Sequence, residues 1–168
     1  MHHDLARAAD AIRTATAGLT AAQLAWQPPG KWSAAEILEH LGKTYSATAY
    51  ILRRCLDDGA PKAKPDTLSQ RLFARVVVQF GYLPSGRRAP EFTMPTGLAP
   101  GEAVSATLAH LEAMDAAAAA CEIRFGARAR LANHPILGAF DARRWRRFHL
   151  VHTRHHAKQI VRRGQGRT

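Results

Sequence analysis

Apolar residues recur at three- and four-residue intervals over most of this chain, the spacing that gathers them on one face of an α-helix. The first series, Leu5, Ala8, Ala9, Ile12, Ala15 and Leu19, predicts a helix from His3 to Leu19. Thr20 to Lys31, broken by Pro28-Pro29-Gly30, reads as a connection. Ser33 with Glu36 three residues on is a capping box, in which each side chain satisfies a free backbone N–H of the first turn. The helix it starts carries Ile37, Leu38, Leu41, Tyr45, Ile51, Leu52 and Leu56 to Asp57, with Thr48 the one polar member of the series. Gly59 and Pro61 end it.

Pro61 to Asp66 reads as a loop, and Thr67 to Tyr82 as a further helix around Leu72, Phe73, Val76, Val77 and Phe80, although Val76-Val77-Val78 would also suit a strand. Leu83 to Pro100 holds Pro84, Pro90, Pro95 and Pro100 and predicts a long irregular loop draped across the helices, the kind of segment that often borders a site. Val104, Leu108, Leu111 and Met114 predict a helix from Gly101 to Ile123. Arg124 to Phe140 is expected to be irregular. Asp141 is a good N-cap for a last helix from Ala142 to Arg163, with Gly164 as its stop signal. These elements predict an all-α fold: a four-helix bundle with an extra helical segment and a long irregular loop, with residues 1–168 forming a single domain.

A chain of 168 residues can bury a self-sufficient core without disulfides. Cys55 and Cys121 lie far apart and form no CxxC pair, which excludes a zinc knuckle or a thioredoxin-like centre and leads us to expect a reduced, cytoplasmic setting. The N-terminus lacks the basic and apolar regions of a signal peptide. The longest strongly apolar stretch, Ala113 to Cys121, is interrupted by Asp115 and too short to cross a bilayer, so no membrane is expected. The formal charge of +11 raises the question of nucleic acid. Twelve of the 24 Lys and Arg residues follow Glu122, where only Glu122 and Asp141 oppose them.

Four of the nine histidines crowd into Phe148-His149-Leu150-Val151-His152-Thr153-Arg154-His155-His156. His152 and His156, four residues apart, would sit side by side on a helix and could share one ion. His149 and His156 are seven apart, roughly 10 Å along the axis, too far for one ion without strain. Pairs 149/152 and 152/155 remain open alternatives, and His152 belongs to all of them. In helical projection Trp145, Phe148, His149, His152, His156, Gln159 and Ile160 share one face, while Arg143, Arg146, Arg147, Arg154 and Lys158 fall on the other. The cations therefore read as a solvated face, and with no exposed aromatics among them to stack bases, nucleic acid is not the expected partner. Two histidines hold a transition metal poorly, and His40, on an apolar face with Ile37, Thr44 and Ile51, is the candidate third donor. His155 and Gln159 could orient a ligand or substrate, as could His149. His110 and His134 have no spacing partner and read as structural. His2 and His3 read as a disordered end.

Trp32-Ser33-Ala34-Ala35-Glu36-Ile37-Leu38-Glu39-His40-Leu41, Asn133-His134-Pro135-Ile136-Leu137-Gly138, Trp145 and the run from His152 to Ile160 together resemble the DinB-like superfamily of metalloenzymes. The resemblance follows nearly the whole chain in helix order and is specific in these segments. It implies a four-helix bundle, often dimeric, so a homodimer is expected, and a three-histidine metal site at His40, His152 and His156. The ion it implies is zinc or nickel, with iron or manganese as alternatives. Its characterised members include transferases that use bacillithiol, mycothiol or glutathione, which implies a small-molecule thiol and an electrophile as partners and thiol S-transfer as the reaction. Two alternatives stay open: a non-catalytic metal-containing binding protein, and a metal-dependent hydrolase. The hydrolase fits less well, because Thr153 and Arg154 follow His152 where an HExxH helix places its general-base Glu.

Overall fold

A computed structural model of the chain describes residues 1–83 and 89–167. Four long helices carry the architecture: α1 (His3–Thr16), α3 (Ala34–Asp57), α5 (Pro100–Phe125) and α6 (Ala142–Gly164). Two shorter helices, α2 (Ala21–Ala25) and α4 (Leu68–Ala74), lie in the connections. Helix α3 packs along α5 and α1 along α6, and the pairs close on a core around Leu5, Ile12, Leu38, Leu41, Leu111 and Leu150. This is the all-α bundle the apolar spacing predicts. Among the described residues no helix is long and apolar enough to cross a membrane.

The close approach of α3 and α5 depends on small residues. A Cβ at Gly42 would lie 3.3 Å from His110 and 3.5 Å from the Thr107 hydroxyl, and Ala117 and Ala118 are buried on the facing helix. The Thr107 hydroxyl lies 2.8 Å from the Leu38 carbonyl and 2.7 Å from the Ala103 carbonyl, so a buried polar group at this contact is satisfied across the pair.

Several boundaries differ from the sequence reading. Helix α1 stops at Thr16, and Thr20 to Lys31 contains α2, started by a second capping box of Thr20 with Gln23. The Ser33–Glu36 box is present, and Asp141 caps α6 by accepting from the Arg144 N–H at 2.7 Å. Gly164 is the last residue of α6 rather than the first beyond it. His2 is ordered: its Nδ1 accepts from the Asp4 N–H and its own N–H donates to Asp115 at 2.7 Å. The valines after α4 form no strand. Arg75–Gln79 instead makes one turn of π-helix, closed by the Phe80 N–H to the Arg75 carbonyl, and it buries Val77.

The region expected to be irregular between α5 and α6 contains a two-stranded antiparallel hairpin, β1 (Ala132–His134) and β2 (Gly138–Phe140), with Asn133 opposite Ala139. Segments this short carry too few alternating positions to stand out in a sequence. The 61–66 loop holds the hairpin: the Lys62 N–H donates to Leu131 at 2.7 Å, and Asp66 accepts from the Ala139 N–H at 2.6 Å. Gly138 has φ +75°, and a Cβ there would overlap the Asp66 carboxylate, so glycine is required on both counts. The long loop before α5 includes a 3₁₀ turn, Glu91–Thr93. Its Pro84 lies outside the described residues.

One projected cation is not on the surface. Arg146 is 3% exposed; its guanidinium binds Asp115 at 2.8 Å and Glu122 at 2.6 Å, both on α5. Arg143, Arg154 and Lys158 are exposed, in line with the projection, and Arg147 is half-buried. The carboxylates on the facing helix overrode the pattern at Arg146, because a buried guanidinium is tolerated when its N–H groups are paired.

Candidate metal centre

Helix α3 delivers His40 and α6 delivers His152 and His156, all buried. Their ring nitrogens lie within 4.8 Å of one another. His152 Nε2 is 3.4 Å from His40 Nε2 and 3.1 Å from His156 Nε2. Two imidazoles bound to one ion at 2.0–2.1 Å in tetrahedral geometry place their nitrogens about 3.3 Å apart, so the three rings could hold a metal ion.

The outer nitrogens of His40 and His156 turn their lone pairs inward. His40 Nδ1 donates to the Thr93 carbonyl at 3.0 Å; a carbonyl can only accept, so in the neutral ring the proton sits on Nδ1 and Nε2 faces the other two histidines. His156 Nδ1 is 2.8 Å from the Gln159 side-chain oxygen, and the amide nitrogen of Gln159 is 3.2 Å from His155 Nε2. With that amide orientation His156 also presents a bare Nε2. Burial, reinforced by neighbouring histidines, lowers the basicity of His152 and takes His156 to about 3. Burial likewise lowers His40, against the opposing effect of the Thr93 carbonyl. His40 and His156 thus point bare Nε2 atoms at His152 Nε2, an arrangement suited to a shared metal ion.

The structure brings His40, His152 and His156 together, and joins His155 and Gln159 to them through the amide. His149 stands apart: its Nε2 lies 2.9 Å from the Thr48 hydroxyl, which accounts for the one polar member of the apolar series along α3. Burial takes His149 to about 3. His134 accepts from the Ile136 and Leu137 N–H groups through Nδ1, which shapes the hairpin turn, and packs edge-on against Phe148. His110 is exposed.

Glu39 is the residue whose part the sequence did not disclose. Next to His40 on α3, it points about 100° away, into the loop after the 3₁₀ turn. Its carboxylate accepts from the Thr96 N–H and hydroxyl, each at 2.8 Å, and from the Gly97 and Leu98 N–H groups, each at 3.0 Å. Lys43, one turn on, pairs with Glu39 at 3.0 Å and donates to the Met94 carbonyl at 2.7 Å. Burial alone would raise the carboxyl, but the Leu98 and Thr96 donors and Lys43 outweigh it and hold Glu39 at about 2. This clamp fixes the loop that sets the Thr93 carbonyl behind His40. An acidic residue beside a candidate ligand and four before a lysine was the available signal.

The triad opens into a pocket of about 570 Å³ walled by α3, the π-turn, the 89–94 segment, the hairpin and α6. A second cluster, His2, His3 and Asp4, also brings ligand atoms together, but His2 is engaged as a helix cap and Asp4 faces Arg147 at 3.8 Å.

A family model for the DinB superfamily matches residues 4–160. No curated protein and no solved structure matches the chain significantly.

Proposed function

The chain belongs to the DinB superfamily, and from that premise we propose that it is a metal-dependent enzyme in which His40, His152 and His156 hold the ion and a thiol is transferred to a small electrophile. The observation that carries the proposal is the convergence of three Nε2 atoms, with the outer nitrogens of His40 and His156 tied to Thr93 and Gln159. Three neutral imidazoles suit zinc or nickel best, with iron or manganese as alternatives. Such an ion supplies a Lewis acid that favours the anionic form of a thiol near neutral pH.

The chain's own residues do the rest. His40, His152 and His156 leave the ion doubly charged. Thr93 and Gln159 hold the rings of His40 and His156 in one tautomer. The apolar walls keep water from competing with the thiol. In the transfer a sulfur–carbon bond forms, the bond from carbon to the leaving group breaks with its electron pair, and the thiol proton goes to solvent. No general base is needed, which favours this reaction over hydrolysis. Among the described residues lining the pocket there is no carboxylate, and Glu39 is saturated by its loop.

The test is metal analysis of protein purified without a histidine tag, followed by titration of the cobalt-substituted form with a low-molecular-weight thiol. We expect one ion per chain, its loss in His152→Ala, and a change in the cobalt spectrum on adding thiol. No bound ion in either protein would overturn the site. An ion without any response to thiol would overturn the transfer reaction and leave a metal-containing binding protein.

A further inference from the structure

The walls of the pocket carry information that the triad does not. Trp32, Ile51, Val77, Met94 and Phe148 line the interior, and Phe73, Phe92 and Ile136 stand at its wall while remaining 39%, 64% and 39% exposed. Apart from histidine, no acidic or basic side chain lines it among the described residues. Most of the polar side chains in the wall are already engaged by the protein. The Thr44 hydroxyl donates to the Leu41 carbonyl at 2.8 Å, that of Thr93 donates to the Pro90 carbonyl at 2.8 Å, and that of Thr48 faces His149. The side-chain amide of Asn133 is used at both ends by the Lys64 backbone, at 2.6 and 3.1 Å. Gln159 is taken by His155 and His156. Trp145 Nε1, His149 Nδ1 and His152 Nδ1 have no hydrogen-bond partner among the described residues, but packing seals them from the accessible space. The converging Nε2 atoms of the triad are the polar anchor that faces a ligand.

We infer that this pocket takes an uncharged, mainly apolar small molecule that directs one ligand atom at the triad, and that it rejects carboxylate-bearing analogues of the same size. The identity of the inner anchor rests on the metal-centre reading; the selectivity rests on the walls. With the ligand atom of the molecule at the triad, a carboxylate at its other end would lose its water against walls that carry no Lys or Arg among the described residues, a cost of several kcal/mol in general. A thiol with charged ends would leave them at the mouth, so the enclosed space belongs to the apolar co-substrate. The +11 charge of the chain acts the other way, drawing anions toward the surface, and it must be screened before the walls can be read.

The experiment uses the full chain in two forms, cobalt-loaded and stripped of metal, with 4-methylthiophenol and 4-mercaptobenzoate as matched probes. Binding is measured by calorimetry at about 0.15 M and about 1 M salt. We expect the neutral probe to bind roughly 100-fold more tightly than the carboxylate at high salt, and the preference to persist in the stripped protein. Ile136→Arg, a change at a partly exposed position of the wall, should narrow the ratio roughly tenfold by supplying the missing cation. Equal or tighter binding of the carboxylate at high salt, or a ratio that Ile136→Arg leaves unmoved, would overturn the inference. If cobalt fails to load but the stripped chain keeps the neutral preference, the metal-centre reading falls and this one stands.

Discussion

Replacing Glu39 with Gln should destabilise the protein by an amount that vanishes in acid. In the fold the carboxylate accepts four hydrogen bonds from residues 96–98 and pairs with Lys43, and these hold it at about 2 against an ordinary 4.5. At about 1.4 kcal/mol per tenfold change in proton affinity, the difference corresponds to about 3 kcal/mol. Glu39 is 7% exposed, so solvent screening removes little of this. The folded-state value is the depressed one. The contribution is therefore complete above the unfolded value near 4.5 and is lost as pH falls from there through about 2. Glutamine keeps the shape but turns an NH₂ toward backbone donors and cannot pair with Lys43. Urea unfolding of wild type and Glu39→Gln from pH 7 to pH 2 measures the effect. The stability difference should be about 3 kcal/mol near neutrality and shrink toward zero at the acid end. The same change loosens the loop that presents the Thr93 carbonyl to His40, so metal affinity should drop roughly 10- to 100-fold. A difference independent of pH would refute the assignment of the lowered carboxyl to this clamp. An unchanged affinity would refute the coupling of the clamp to His40.

Gln159→Leu removes the acceptor at His156 Nδ1 while keeping the volume, and should lower metal affinity roughly 10- to 100-fold with little change in the circular dichroism spectrum; equal affinities in a chelator competition would show that the amide does not orient the ring. Arg146→Ala leaves the buried Asp115 without its cation, with only the His2 N–H still donating to it, and should cost roughly 3–5 kcal/mol in chemical denaturation, whereas a loss below about 1 kcal/mol would indicate a solvated pair. Gly42→Val forces methyl groups toward His110 and Thr107 and should cost about 1–3 kcal/mol, readable as a lowered Tm. A neutral result would mean that α3 and α5 separate freely.

The bundle was legible because its signals are local and repeated. A buried helix face needs an apolar residue every three or four positions, and caps such as Ser33 and Asp141 act within one turn, so four long helices and their starts followed from the chain itself. The pairing of His152 with His156 was legible for the same reason, being a spacing on one helix. What failed was either too short or non-local. Helix α2 and the hairpin have too few positions to establish a period. The projection of Arg146 to solvent was sound for an isolated helix, and Asp115 and Glu122 reversed it from 31 and 24 residues away.

The centre divides along the same line. Sequence spacing alone put two histidines on one face of α6 and left His40 as a candidate 112 residues from His152; the family resemblance named it as the third ligand, and only packing could bring their nitrogens to 3.4 Å. The Thr93 carbonyl behind His40 and the Glu39–Lys43 clamp are contacts between a helix and a loop more than fifty residues further on, in a segment with no periodicity to read. The chemical types of the donors were written in the chain. Whether the lone pairs of His40 and His156 point inward was decided by the backbone carbonyl and side-chain amide that tertiary structure set against the far side of those two rings, because the tautomer of an imidazole depends on the partner of its other nitrogen.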